Sequence, residues 1–156
     1  MNKQITPCLW FDHQAEEAAK FYISVFKNSG IDKVSYYGNE GYEIHGKKEG
    51  TILTVEFHIN GQPFTALNGG PDFRFTEAVS FQVFCDTQEE IDFYWQKLSA
   101  VPEAEACGWL KDKYGVSWQI VPSVLKELLA DPEKSERVMK AFMPMKKFDI
   151  ETLMNA

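Results

Sequence analysis

Two stretches of this 156-residue chain nearly repeat one another. Asp12-His13-Gln14-Ala15-Glu16-Glu17-Ala18-Ala19-Lys20-Phe21-Tyr22 is echoed by Asp86-Thr87-Gln88-Glu89-Glu90-Ile91-Asp92-Phe93-Tyr94, and each copy follows a short strand-like run. The offset is 72 residues at Glu17/Glu89 and Phe21/Phe93 and 74 at Asp12/Asp86, so the first copy carries two extra loop residues. Two copies are too few for a solenoid, which needs three or more to bury a continuous core. The repeat predicts two similar modules, with a cavity expected between their facing halves.

The pattern within each copy predicts its elements. Thr6 to Phe11 reads as a strand. Ala18, Phe21, Tyr22, Val25 and Phe26 have the spacing of one buried helix face, giving a helix over 15–26. Short strands are expected at Val34 to Tyr37 and Thr51 to Ile59, with a polar, Gly-studded loop between them. Asn60-Gly61 signals a type I′ hairpin into Gln62 to Asn68, because both central residues of that turn need positive φ. This is β-α-β-β-β over residues 3–71. The second module, 78–121, restates it: a strand at Ala78 to Cys85, then a helix opened by a Thr87/Glu90 capping box. Ile91, Tyr94, Trp95 and Leu98 form that helix's buried stripe. A hairpin, Cys107 to Lys111 and Val116 to Val121, closes the module. Residues 100–106 hold either a poor strand or a loop. The 122–156 segment is helical: Val124 to Ala130, a helix N-capped by Asp131 with Pro132 at its first position, and a last one from Asp149. Met139, Phe142, Met143 and Met145 give it an apolar face suited to the parent domain or a dimer partner.

A net charge of −7 argues against nucleic acid or an anionic membrane as partner. Lys47-Lys48 and Lys146-Lys147 read as solvated surface. The length suits a single domain, which can bury roughly 70% of its unfolded surface without staples. Cys8, Cys85 and Cys107 lack a Cys-x-x-Cys spacing and suit a reducing compartment. Cys8 and Cys85 sit in apolar runs and read as core residues. With no stretch of ~20 apolar residues and no signal-like N-terminus, a cytoplasmic protein is expected.

Two β-α-β-β-β modules with Phe-Tyr in each helix, the second ending in Asp112-Lys113-Tyr114-Gly115-Val116-Ser117-Trp118-Gln119, resemble the vicinal-oxygen-chelate superfamily. That group includes glyoxalase I, fosfomycin- and bleomycin-resistance proteins and extradiol dioxygenases. Leu9-Trp10-Phe11, Gln14 to Ala18, Asn60 to Phe64 and Ala66-Leu67-Asn68-Gly69-Gly70-Pro71 are similar to its PhnB-like branch, which often carries a 3-demethylubiquinone-9 3-methyltransferase label. The resemblance covers about residues 5–121. It implies an α+β fold, two β-α-β-β-β modules forming a glyoxalase/bleomycin-resistance-type half-barrel cavity, with the C-terminal helices added, and it implies a homodimer. The methyltransferase label finds no support in the residues. A Gly-rich cofactor turn leads from a strand into a helix, whereas Gly69-Gly70 follows a hairpin and precedes Pro71.

Members of the superfamily usually hold a divalent metal between modules with His or Glu. Counting from the repeat, the matching positions here are Ile5, Ala66, Ser80 and Gln119. None can serve as the His, Cys or carboxylate ligand of a catalytic site. No cofactor is therefore expected. Alternation in the strands turns Ser80, Gln82 and Phe84 to one face of the first strand of module two, and Ser117, Gln119 and Val121 to one face of the last. With Asn68, these neutral donors and acceptors could orient a small-molecule ligand among aromatic walls; they could equally satisfy one another inside a closed barrel. Whether a reaction is catalysed stays open. The alternatives are a metal-dependent lyase or dioxygenase, with Zn, Ni, Fe or Mn at a non-standard site using Glu56, His58 or His45, and a protein whose aromatic surfaces serve assembly alone. Thr54, Glu56 and His58 share one strand face, expected to be solvated. His13 and His45 are read as surface residues.

Overall fold

A computed structural model of the protein describes residues 4–156. The chain forms two compact units, the first ending at Arg74 and the second beginning at Phe75. In the first, β1 (Cys8–Phe11), α1 (Ala15–Val25), β2 (Gly30–Tyr36), the short α2 (Tyr42–His45), β3 (Ile52–Ile59) and β4 (Gln62–Asn68) follow in order. The sheet runs β1-β4-β3-β2, with β1 parallel to β4 and the other pairs antiparallel. Asn60 and Gly61 take φ of 48° and 78°, the left-handed pair a type I′ turn requires. That turn fixes the register, so Val55 pairs with Ala66 and Glu56 with Thr65.

One face of this sheet is apolar and lies under α1. Leu9, Phe11, Val55, Phe57, Phe64 and Ala66 are buried there, with Ala15, Ala18, Ala19 and Tyr22 of the helix wholly enclosed. Tyr22 stacks on Phe57 at a ring separation of 6.2 Å. Each large side chain removed from water this way contributes about 1.5–3 kcal/mol. The start of α1 is closed by tertiary structure. Gln14, its N-cap, makes no capping bond. Instead the Ala15 backbone N–H donates to Asn68 Oδ1 at 2.8 Å, and Asn68 Nδ2 donates to the Ile52 carbonyl at 3.1 Å. Asn68→Ala removes a helix cap and orphans two backbone groups; a loss of about 1–2 kcal/mol in denaturant unfolding is expected, and an unchanged midpoint would contradict the cap.

The second unit contains β5 (Ser80–Cys85), α3 (Gln88–Leu98), a 3-10 turn at Pro102–Ala104, β6 (Trp109–Lys111), β7 (Ser117–Pro122), α4 (Leu125–Ala130), α5 (Ser135–Phe142) and α6 (Ile150–Met154). Its sheet runs β5-β7-β6, β5 parallel and β6 antiparallel to β7. Thr87 accepts from the Glu90 N–H while Glu90 Oε2 accepts from the Asp86 N–H, so the capping box forms, its return bond falling one residue earlier than in the simplest case. Ile91 and Leu98 are buried; Tyr94 and Trp95 are half-buried.

The second module departs from the first where the sequence was ambiguous. Residues 100–106 form the 3-10 turn and one isolated bridge, Ala106 to Trp109, in place of a fourth strand. Pro102 has no N–H to give a ladder. Both sheets are open, not closed into a barrel.

The tail is built into the second unit. Cys107 and Gly108 donate to the Met145 and Lys146 carbonyls at 2.8 and 2.7 Å. Gln88 bonds both the Phe148 carbonyl and the Ile150 N–H. Asp149 caps α6 through the Thr152 N–H. One helix boundary changes. Asp131 closes a turn over 131–135, and the helix begins only at Ser135. The tail is packed through Val138, Phe148 and Leu153, whereas Met139 and Met143 are exposed. Cys8 is also exposed, because it lies at the start of an edge strand on the sheet face away from α1. Cys85 is buried, and that burial pushes its thiol up to about 12, which makes it inert.

Candidate functional site

Alternation and register together sort the second sheet into two faces. Phe81, Val83, Cys85, Leu110, Trp118 and Ile120 face α3, with Phe81 and Trp118 in ring contact at 5.4 Å. The opposite face carries residues in rows across the strands. Gln82, Gln119 and Trp109 are register partners in one row; Ser80, Ser117 and Lys111 form the next. Phe84 and Val121 extend the face beyond the glutamines. These are the residues that strand alternation had picked out in β5 and β7.

The polar side chains form a chain of hydrogen bonds. Gln82 Nε2 donates to Gln119 Oε1 at 3.4 Å, and Gln119 Nε2 donates to Ser80 Oγ at 2.8 Å. Ser117 is 2% exposed, and its hydroxyl has no partner among the described residues. Phe84 is 59% exposed, an apolar surface bordering this polar row. Lys111 is paired with Glu77, which precedes β5. The hydrogen bond from Lys111 holds the Glu77 carboxyl below the usual carboxylate range. Trp109, Lys111 and Glu77 did not emerge from the sequence. Alternation about the apolar Leu110 would have found the first two; nothing local marks Glu77, which reaches Lys111 across 34 residues.

Asn68 has other partners. It belongs to the first unit, is 9% exposed, and spends its amide on α1 and Ile52. A groove of about 560 Å³, open to solvent, lies beside it, lined by His13, Glu16, Glu17, Lys47 and Thr51 among others. The Thr54 face of β3 is the sheet surface away from α1. There Thr54 bonds Ser35 and His58 bonds Asp32 at 2.9 Å, while Glu56 is exposed. His45 accepts the Lys47 N–H at Nδ1, which leaves Nε2 to donate to the Glu40 carbonyl at 3.1 Å. Both ring nitrogens of His45 are thus committed to holding its loop.

The metal positions do not fit a divalent ion. Ile5 is an exposed hydrocarbon side chain and Ala66 is sealed under α1. Ser80 and Gln119 bond each other. Among the described residues, no three His, Cys, Asp or Glu side chains are grouped as a metal would need. The Gly-Gly pair does not fit a nucleotide cofactor either. A Cβ on Gly69 would stand 2.2 Å from the Trp10 indole, whose N–H donates to the Gly70 carbonyl at 2.9 Å. Gly69 makes room for a tryptophan, and β5, not a helix, is the next element.

The comparisons with known proteins agree with this architecture. The family model described as 3-demethylubiquinone-9 3-methyltransferase matches residues 3–121. The chain belongs to this PhnB-like family of the vicinal-oxygen-chelate superfamily. It is 39% identical to the PhnB protein of Bacillus cereus, which carries the same methyltransferase description, over 78% of this chain and all of that one, with a TM-score of 0.63. Two more distant structures share the fold at 18% identity. Protein PA1353 of Pseudomonas aeruginosa has a TM-score of 0.57, with 76% of this chain and 96% of that one covered. The fosfomycin resistance protein FosX of Listeria monocytogenes has 0.50, with 81% and 97% covered. No functionally curated protein gives a significant match. Among the described residues, no helix is long and apolar enough to cross a membrane. The α4–α6 tail lies beyond the matched 3–121 segment, although Cys107 and Gly108 within that segment depend on it.

Proposed function

We propose that this PhnB-like protein binds a polar small molecule on the open face of its second sheet, without a divalent metal. The observation that carries the reading is the directed chain Gln82 to Gln119 to Ser80, set on a sheet face bordered by exposed Phe84. Neutral amides and hydroxyls beside apolar surface orient a ligand by hydrogen bonding while the rings remove its hydrocarbon parts from water. The metal-dependent alternative at Glu56, His58 or His45 is less supported, because His58 bonds Asp32 and both ring nitrogens of His45 hold its loop; Asn68 is left out of the ligand set because it caps α1. The reading includes a homodimer, supported by the exposed Met139 and Met143, and a reducing, cytoplasmic setting, supported by the free Cys8, Cys85 and Cys107.

The test is a thermal-shift screen of small metabolites and divalent metals on the intact chain and on Gln119→Ala. A ligand present at 100 times its Kd stabilises the native state by about 2.7 kcal/mol. That gain should appear in the parent protein and vanish in Gln119→Ala. Hits that ignore Gln119, or about one tightly held metal ion per purified chain, would overturn the reading. A gain-of-function variant checks the geometry. Because Ser80 and Gln119 already touch, Ser80→His with Gln119→Glu sets two ligands side by side. Zinc affinity by titration calorimetry should rise about tenfold or more, and no gain would show that the two positions do not converge.

A further inference from the structure

We propose that Lys111 is an anchor for an oxyanion, the carboxylate or phosphate end of the bound molecule, and that Glu77 occupies this anchor in the unliganded protein. This rests on the reading that the open face of the second sheet is the ligand face, and deepens it by naming the ligand's charged end. The row Ser80, Ser117, Lys111 differs in chemistry from the row beside it. Ser80 Oγ accepts from Gln119 and so keeps its own O–H to give. Ser117 Oγ is buried and unpartnered. Lys111 can only donate. Three donors on one row, of which Ser80 is fed by the two amides, call for an acceptor with several lone pairs.

An unpaired buried hydroxyl is uncommon in native proteins, and each one asks for an explanation. An oxyanion on Lys111 supplies one, since a carboxylate has two oxygens and about four acceptor sites. Glu77 is the same chemical group held in cis. It lies outside the sheet, in the turn before β5, and its side chain is 62% exposed where that of Lys111 is 22% exposed. An ion pair so open on the carboxylate side contributes little to stability, so a ligand oxyanion that also meets the serine hydroxyls can take its place.

Amide NMR titrations of the intact chain with acetate, inorganic phosphate and uncharged acetamide test this. Acetate or phosphate should shift the Lys111 and Ser117 N–H signals, and which of the two does so identifies the oxyanion class. Glu77→Gln should tighten that binding about tenfold, as for a site left free in only about a tenth of the molecules. Lys111→Met should abolish it. Acetamide should shift the Gln82 and Gln119 side-chain amides alike in the parent and in Lys111→Met. Oxyanion shifts that are absent from Glu77→Gln, or that survive Lys111→Met, overturn the anchor. Acetamide binding that persists while the oxyanion arms fail leaves the ligand face standing and removes the anchor alone. Oxyanion shifts that depend on Lys111 without any acetamide response support the anchor and count against the amide chain.

Discussion

Replacing Asp112 with Ala is expected to cost the second unit about 3 kcal/mol or more. Asp112 is 1% exposed. Its Oδ1 accepts from the Tyr114 and Val116 N–H groups at 2.8 and 3.0 Å, and its Oδ2 accepts from the Trp118 indole N–H at 2.9 Å. Removing the carboxylate orphans three donors in a low-dielectric interior, at about 1–3 kcal/mol each before relaxation. The turn from β6 to β7 then loses its organiser, and Trp118 its fixed orientation against Phe81. Chemical denaturation followed by tryptophan fluorescence measures the loss. Asp112→Asn, which keeps one carbonyl acceptor, should fall between the parent and Asp112→Ala. A shift under about 1 kcal/mol for Asp112→Ala would show that the turn is set by Gly115 and strand pairing instead, within the range of an ordinary surface change.

Gly108→Ala is expected to release the C-terminal tail. Gly108 has φ of 81°, and an added Cβ would lie 2.3 Å from Phe148 Cε2 and 2.9 Å from the Ile120 carbonyl oxygen. The backbone conformation alone costs an L-residue about 1–2 kcal/mol. The clash adds to it, because Phe148 is 3% exposed and has to leave its site, forfeiting about 1.5–3 kcal/mol of burial. Gly108 also donates to Lys146 and accepts from the Ile120 N–H, so the strain falls on the joint between tail and sheet. Hydrogen exchange should show lost protection at the Cys107 and Gly108 N–H groups and throughout α6, with a fall in Tm. Unchanged protection in α6 would mean that Gln88, through its bonds to Phe148 and Ile150, holds the tail without this joint.

These two sites show how the sequence signal divides. Asp-x-x-Gly-x-x-Trp-Gln was legible as a motif because all its parts lie within eight residues, and the structure gives its physical content: a carboxylate that ties a turn and an indole together. The faces of β5 and β7 were legible for a similar reason. A period of two is local, so Ser80, Gln82, Ser117 and Gln119 could be assigned to one side without knowing their neighbours. Asn68, grouped with them by its donor chemistry, has a role that no local pattern marks: its side chain caps α1. The register pairs Val55 with Ala66 and turns Asn68 to the side of the sheet that α1 covers, where it caps the helix. Gln14 makes no capping bond, and the side chain that closes the helix stands 53 residues from Ala15.

The sequence by itself determined the hairpin at Asn60-Gly61, the capping box at Thr87 and the hydrocarbon, hydroxyl and amide groups at the positions that the resemblance marks for metal ligands. Each follows from local rules of backbone conformation, hydrophobic period or donor chemistry. Only the tertiary structure decided that Gln119 bonds Ser80, that Lys111 is met by Glu77, that Ser117 finds no partner among the described residues and that the tail completes the second unit through Gly108. Those facts depend on which distant side chains and backbone groups come within a few ångströms, and strand pairing and helix packing, not local preference, set those distances.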